Sequence, residues 1–244
     1  MHVEFKKLFL KILTFGLYDP KWRCNGCGAE IFGEGFFCEE CEKTLPYNDK
    51  TVCDHCGREL KNPSGYCSTC KGTMVSVDKA RSVFKYESPI SGLVKKAKYD
   101  NGKYILDYFA EKLSFLYFNE FFRSEVVCCV PMSEKRLKKR KYNQSEILAK
   151  TVSAKINVPF SDCIIKVKET KRQAKLSRKE RLKNLTDSFK ITDKKAVRGK
   201  NVLIVDDVST TGATGEAVAA KLKKAGALRV HLITVANVPS KDGY

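Results

Sequence analysis

The sequence predicts an α/β fold, a mostly parallel sheet flanked by helices, with a small metal-stapled domain in front of it. Three observations carry this expectation. Val202-Leu203-Ile204-Val205 is a run of branched apolar residues, as in a parallel strand buried on both faces. The run ends in Asp206-Asp207, passes Ser209-Thr210-Thr211-Gly212, and enters a helical pattern with Ala217, Val218, Leu222 and Ala225 on one face. Far upstream, Cys24, Cys27, Cys38 and Cys41 recur at Cys53, Cys56, Cys67 and Cys70, each shifted by 29 residues.

The cysteine repeat defines the front of the chain. Both copies read Cys-x2-Cys-x10-Cys-x2-Cys, with Gly28 and Gly57 in the same register and an aromatic, Phe37 or Tyr66, before the third cysteine. Four thiolates on two short knuckles suit tetrahedral zinc. The two glycines permit the backbone twist just after the second sulfur. A disulfide framework needs an oxidising compartment, and Lys6, Lys7 and Lys11 break any signal-peptide core at the N-terminus. Two structural zinc ions are therefore expected, held by Cys24, Cys27, Cys38 and Cys41 and by Cys53, Cys56, Cys67 and Cys70, or by a crossed set sharing pairs between copies. His55, between two ligands, reads as a neighbour of the metal or a surface residue. A Cys53→Ser change is expected to unfold the second repeat and spare the larger domain.

The remaining elements follow in order. Residues 1–22 are expected to form an amphipathic helix with Phe5, Leu8, Phe9, Ile12 and Leu13 on one face. The zinc module spans 23–73 and the α/β domain 74–244. A strand is predicted over 80–86 and a helix over 92–99. A strong amphipathic helix follows over 103–122, burying Ile105, Leu106, Phe109, Leu113, Leu116 and Tyr117. A buried strand covers 126–130 and a helix 142–156. A mobile basic loop is expected at 171–185, and strands at 202–206 and 229–235 complete the sheet. Cys128, Cys129 and Cys163 have no metal spacing and read as core.

The chain has 244 residues and a formal charge of +18, which two four-thiolate zinc sites would lower to about +14. From Glu134 to Lys183, 17 Lys or Arg face 5 Asp or Glu, so +12 of the excess is concentrated there. Such a block attracts polyanions. No segment is long and apolar enough to span a membrane, and the chain is expected to be cytoplasmic.

The turn after the 202–206 strand offers backbone N–H groups, hydroxyls and a helix N-terminus to a phosphate. The acids before it can accept hydrogen bonds from vicinal hydroxyls. Ribose 5-phosphate satisfies both halves. A Walker A loop is excluded, because no Gly-Lys followed by Ser or Thr is present there.

Residues 202–214 resemble the phosphoribosyl pyrophosphate (PRPP) signature of the type I phosphoribosyltransferases. Val130-Pro131-Met132-Ser133-Glu134-Lys135-Arg136 and Arg140-Lys141-Tyr142-Asn143-Gln144 resemble the Pro-rich loop and Arg-Gly-Phe-Asn-Gln element of ComF proteins. Thr170, Gln173, Leu176, Arg178, Arg181, Asn184 and Phe189 match that family's spacing. With the cysteine module, the chain resembles a ComF family protein over nearly its whole length: a double zinc ribbon joined to a type I phosphoribosyltransferase-like domain.

The resemblance implies PRPP binding by Asp206, Asp207, Ser209, Thr210, Thr211, Gly212 and Thr214, with magnesium accompanying PRPP. Arg136, Arg140, Arg178 and Arg181 are candidates for the pyrophosphate side, and each also fits a solvated surface. Asn143 and Gln144 fit a helix cap or a ligand contact. The family is associated with competence and DNA uptake, which makes the uptake machinery a possible partner. Two departures from the family stand out: Cys129-Val130-Pro131 where relatives read Pro-Val-Pro, and Lys141 where they read Gly. Thr210 replaces the aspartate with which hypoxanthine-type enzymes act on the base, which argues against that chemistry. No catalytic residue and no acceptor can be named. The alternative function is a single-stranded DNA-binding accessory that holds PRPP without turnover, with Trp22, Phe36, Phe37 or Tyr66 stacking on bases.

Overall fold

The computed structural model describes residues 23–31, 35–49, 51–60, 65–67, 70–71, 76–99, 102–168 and 185–239. The expected helix over 1–22, Trp22, and the basic loop with Arg178 and Arg181 lie outside them. The chain forms two compact units, divided between Leu45 and Pro46. Among the described residues, the first holds the four cysteines Cys24, Cys27, Cys38 and Cys41 and the short helix α1 (Glu39–Lys43). The second cysteine repeat belongs to the larger unit.

The larger unit is built on four parallel strands: β1 (Lys79–Lys85), β2 (Val126–Cys129), β5 (Asn201–Ser209) and β6 (Arg229–Asn237), in the order β1-β6-β5-β2. Val202, Leu203, Ile204 and Val205 of β5 are completely buried. That burial follows from a central strand with helices on both faces, which the unbroken apolar run requires. Register fixes the end of the sheet: Cys129 lies opposite Val205, and Asp206 opposite Thr234. The strand continues past the predicted Asp206 to Ser209, because Val208 and Ser209 still pair with Ala236 and Asn237.

Helix α2 (Ile90–Lys96) begins two residues before the predicted start. Helix α3 (Lys103–Asn119) buries Ile105, Leu106, Phe109, Leu113 and Tyr117, as its periodicity requires. It packs on α5 (Gln144–Ile156), which in turn covers β5 and β2. Helix α6 (Ala213–Lys224) buries Ala217, Val218 and Leu222 against the sheet. Cys128, Cys129 and Cys163 are core residues, with the Cys128 and Cys163 sulfurs 3.8 Å apart. Three elements of the larger unit were not legible in the sequence. The helix α4 (Glu134–Arg140) has one apolar residue, Leu137, and no buried face. The strands β3 (Ile164–Lys166) and β4 (Phe189–Ile191) form a short antiparallel pair.

Two residues join these elements to the end of the sheet. Asn143 caps α5, its side chain accepting the Ser145 N–H at 3.2 Å, and its amide donates to the Val130 carbonyl at 3.1 Å. The helix therefore starts at a fixed point beside the end of β2. Lys141 closes α4 with φ +67°, a left-handed conformation that costs a side-chain-bearing residue about 1 kcal/mol. Lys141→Gly is expected to raise the melting temperature by about 2–4 °C, measured by differential scanning calorimetry.

Candidate functional site

Each cysteine repeat folds into one sulfur tetrad. Cys24, Cys27, Cys38 and Cys41 lie together, as do Cys53, Cys56, Cys67 and Cys70, and within each set the sulfurs are all within 4.8 Å of one another. The pairing is sequential, not crossed. Cys27 and Cys38 sulfurs are 3.8 Å apart, and those of Cys56 and Cys67 are 3.7 Å apart. A tetrahedron with metal–sulfur bonds of about 2.3 Å has edges of about 3.8 Å, so both tetrads fit zinc.

The repetition extends to the backbone. Cys24 N–H donates to Ala29 O at 2.8 Å and Cys53 N–H to Arg58 O at 2.7 Å, with Gly28 and Gly57 at φ +77° and +68°. The left-handed turn expected after each second cysteine is present in both copies. Burial opposes ionisation of Cys24, but N–H groups of Cys38, Cys27 and Gly26 outweigh it and bring the thiol down to about 6. Burial likewise opposes ionisation of Cys53, and N–H groups of Cys56, Cys67 and His55 lower it to about 7. One thiolate in each tetrad is thus ready for a metal at neutral pH.

The second chemical centre lies at the carboxyl end of β5. Burial pushes the Asp206 carboxyl up to about 8, the neighbouring Asp207 adds to the shift, and the Ser145 hydroxyl opposes it. Ser145 Oγ donates to Asp206 Oδ1 at 2.6 Å, and the Asp207 N–H donates to the same oxygen at 2.9 Å. Asp207 Oδ1 accepts the Val208 N–H at 2.7 Å. The chain then turns through Ser209–Thr211 to Gly212, whose φ of +75° opens α6. Nothing lies within 4 Å of where a Gly212 side chain would begin, so φ and not crowding selects glycine here. At Gly215 crowding decides, since a β-carbon would come within 2.5 Å of Leu232. The first turn of α6 lines a small cavity together with Asp206, Ser209, Thr210 and Thr234.

The predicted site residues divide into three groups. Asp206, Asp207, Ser209, Thr210, Thr211, Gly212 and Thr214 are contiguous along β5, the turn and the first turn of α6. Arg136 is exposed on α4, and Arg140 donates to Gln144 Oε1 at 3.3 Å. Arg178 and Arg181 lie outside the described residues. Ser145 was missed, because a serine inside a helical pattern carries no sign of a partner 61 residues away. Of the aromatics considered for stacking, Phe37 is buried and Tyr66 is half exposed.

A parallel sheet with a diacid strand end, a glycine turn and a helix N-terminus defines a phosphoribosyltransferase-type domain, here fused to cysteine ribbons. The sequence agrees: residues 143–243 match the phosphoribosyl transferase domain model, and residues 16–71 match the double zinc ribbon domain. Competence protein F of Haemophilus influenzae is 30% identical over 211 residues, covering 83% of this chain and 79% of that protein. The chain belongs to the ComF family. The DNA utilization protein YhgH of Escherichia coli is 29% identical over 161 residues, 62% of this chain and 68% of that one. Among solved structures, the allosteric regulatory enzyme of purine biosynthesis aligns with 22% identity and a TM-score of 0.39, covering 54% of this chain and 26% of that one. No helix among the described residues is long and apolar enough to cross a membrane.

Native mass spectrometry of reduced protein should show two zinc ions per chain. A strong chelator, or acid that protonates the thiolates, should remove them. Eight freely titrating thiols in metal-replete preparations would contradict the tetrads.

Proposed function

We propose that this chain binds PRPP with magnesium at the end of β5, and that it serves the handling of incoming DNA in a reducing cytoplasm. The observation that supports the ligand reading most is the pairing of Asp206 and Asp207 with the Gly212 turn and α6 N-terminus. The carboxylates accept hydrogen bonds from the ribose 2- and 3-hydroxyls. The turn amides and the hydroxyls of Ser209, Thr210, Thr211 and Thr214 hold the 5-phosphate. Magnesium bound together with PRPP beside Asp206 and Asp207 would supply positive charge that offsets the pyrophosphate. The names of the relatives, competence and DNA utilization, support the link to DNA uptake.

Transfer at this site would be a displacement at C1. A nucleophile forms a bond to C1 while the C1–O bond breaks, and pyrophosphate leaves with the electron pair. Positive charge gathers on the ribose ring, and Asp206 and Asp207 favour it electrostatically. Arg136 and Arg140 neutralise the leaving group. Asp206→Asn combined with Asp207→Asn keeps side-chain volume, removes both negative charges and turns one oxygen of each side chain into a donor. The double variant is expected to fold normally and lose PRPP binding by at least about 100-fold, the order of two hydrogen bonds to charged groups. Isothermal titration calorimetry gives the answer, and equal affinity in the two proteins refutes the assignment.

A second reading, that the chain binds single-stranded DNA and holds PRPP without turnover, is favoured by one observation. Lys135, Arg136, Lys138, Lys139 and Lys141 all lie exposed on or beside α4. Phosphate contacts from this face would make affinity fall by about 0.7 log units per contact for each tenfold rise in salt. Replacing Lys138, Lys139 and Lys141 with Gln should flatten that slope in fluorescence anisotropy titrations and leave PRPP binding nearly intact. No binding to single strands at physiological ionic strength would leave the transferase reading alone.

A further inference from the structure

The second cysteine repeat shares a compact unit with the sheet, and the carbonyls of its first knuckle are taken up by that sheet and its flanks. Arg81 Nη1 donates to the carbonyls of Cys53 and Asp54 at 3.3 and 3.1 Å. The Ala80 N–H donates to His55 O at 2.7 Å. Gly57 O accepts from Asn237 Nδ2 at 3.0 Å and from Asn48 Nδ2 at 2.8 Å. A β-carbon at Gly57 would lie 2.5 Å from Ala80 O, so the knuckle is pressed directly onto β1.

Two side chains of this knuckle reach the phosphate turn itself. His55 is buried, with Nε2 3.0 Å from Glu216 Oε1 in the first turn of α6. Glu216 Oε2 accepts the Ser76 N–H at 2.7 Å, so both carboxylate oxygens are engaged. Arg58, two residues after the ligand Cys56, donates from Nη2 to Thr210 O at 3.0 Å. In a trans peptide the carbonyl and the following N–H point to opposite sides. Fixing Thr210 O against Arg58 therefore turns the Thr211 N–H away from the ribbon.

We infer that the second zinc centre supports the phosphate turn, with Arg58 as its positioning residue. This rests on the PRPP reading, in which the turn holds the 5-phosphate. Zinc on Cys53, Cys56, Cys67 and Cys70 fixes the knuckle, the knuckle aims Arg58 and His55, and these hold Thr210 and Glu216 on either side of Gly212. The ribbon then acts as part of the ligand site without touching the ligand. The expected independence of the second ribbon from the larger domain is replaced by a physical connection between them.

The test compares zinc-loaded wild type, Arg58→Ala and Arg58→Lys, with Cys56→Ser to strip the second centre. Arg58→Ala should keep its zinc and bind magnesium-PRPP about tenfold more weakly by calorimetry, the order of one charge-assisted hydrogen bond. Arg58→Lys, which keeps a donor, should recover part of the loss, and Cys56→Ser should lose at least as much as Arg58→Ala. Without any ligand, amide hydrogen exchange at Thr211–Thr214 should quicken in Arg58→Ala. Wild-type affinity and wild-type exchange in Arg58→Ala overturn the inference and leave the PRPP reading standing. Failure of wild-type protein to bind PRPP overturns that reading instead, and the exchange comparison still decides whether Arg58 holds the turn.

Discussion

Two adjacent carboxylates follow the four completely buried residues Val202–Val205 within β5, and the rest of the larger unit is arranged around that constraint. Burial raises the Asp206 carboxyl to about 8, and the neighbouring Asp207 adds to that shift. The structure answers with donors drawn from three places: the Ser145 hydroxyl at the start of α5 and the N–H groups of Asp207 and Val208. Asn143 brings Ser145 there by tying the first turn of α5 to the last residues of β2. Parallel pairing of β2, β5 and β6 sets their carboxyl ends side by side, which is where open α/β sheets take ligands. Asp206 is thus held short of full ionisation, and a ligand presenting hydroxyls and a cation would favour its charged form.

The zinc ribbons solve a different physical problem. A segment of fewer than about 40 residues buries too little apolar surface to hold one conformation by itself. Four thiolates on two knuckles supply the missing constraint, and N–H groups aimed at Cys24 and Cys53 prepare one sulfur of each tetrad. In the second copy the same knuckle carbonyls also serve as acceptors for Arg81, Ala80, Asn48 and Asn237. The metal centre there stabilises a surface that the α/β sheet itself uses.

What the sequence revealed follows from how local each signal is. The β5 run, the diacid, the Gly212 turn and the eight cysteines are written in contiguous residues or a fixed shift, and the structure keeps the first three contiguous and gathers the cysteines into two tetrads. Helix α3 was legible because its apolar face repeats over 17 residues. Helix α4 was not, since Leu137 alone gives no period and Lys141 takes a conformation that sequence assigns to glycine. Ser145, Arg58 and His55 were beyond reach for another reason. Their partners Asp206, Thr210 and Glu216 lie 61, 152 and 161 residues away, and no local pattern encodes a contact of that range. The strands β3 and β4, three residues each, are too short to show alternation.

The central claim, that the Asp206–Asp207 pair is completed by magnesium-PRPP, has a direct thermodynamic signature. With Asp206 pushed up to about 8, the free protein carries its proton at pH 7, and hydroxyl donors or a cation bind the ionised form better. Affinity should therefore rise as pH increases from 6 toward 8 and level off above it. Calorimetric titration of the intact, zinc-loaded protein in buffers of different ionisation heat measures the protons exchanged. Release of a large fraction of one proton at pH 7, beyond that of PRPP itself and fading above pH 8, is the predicted result. Binding with no such release and no rise in affinity across that range would contradict it.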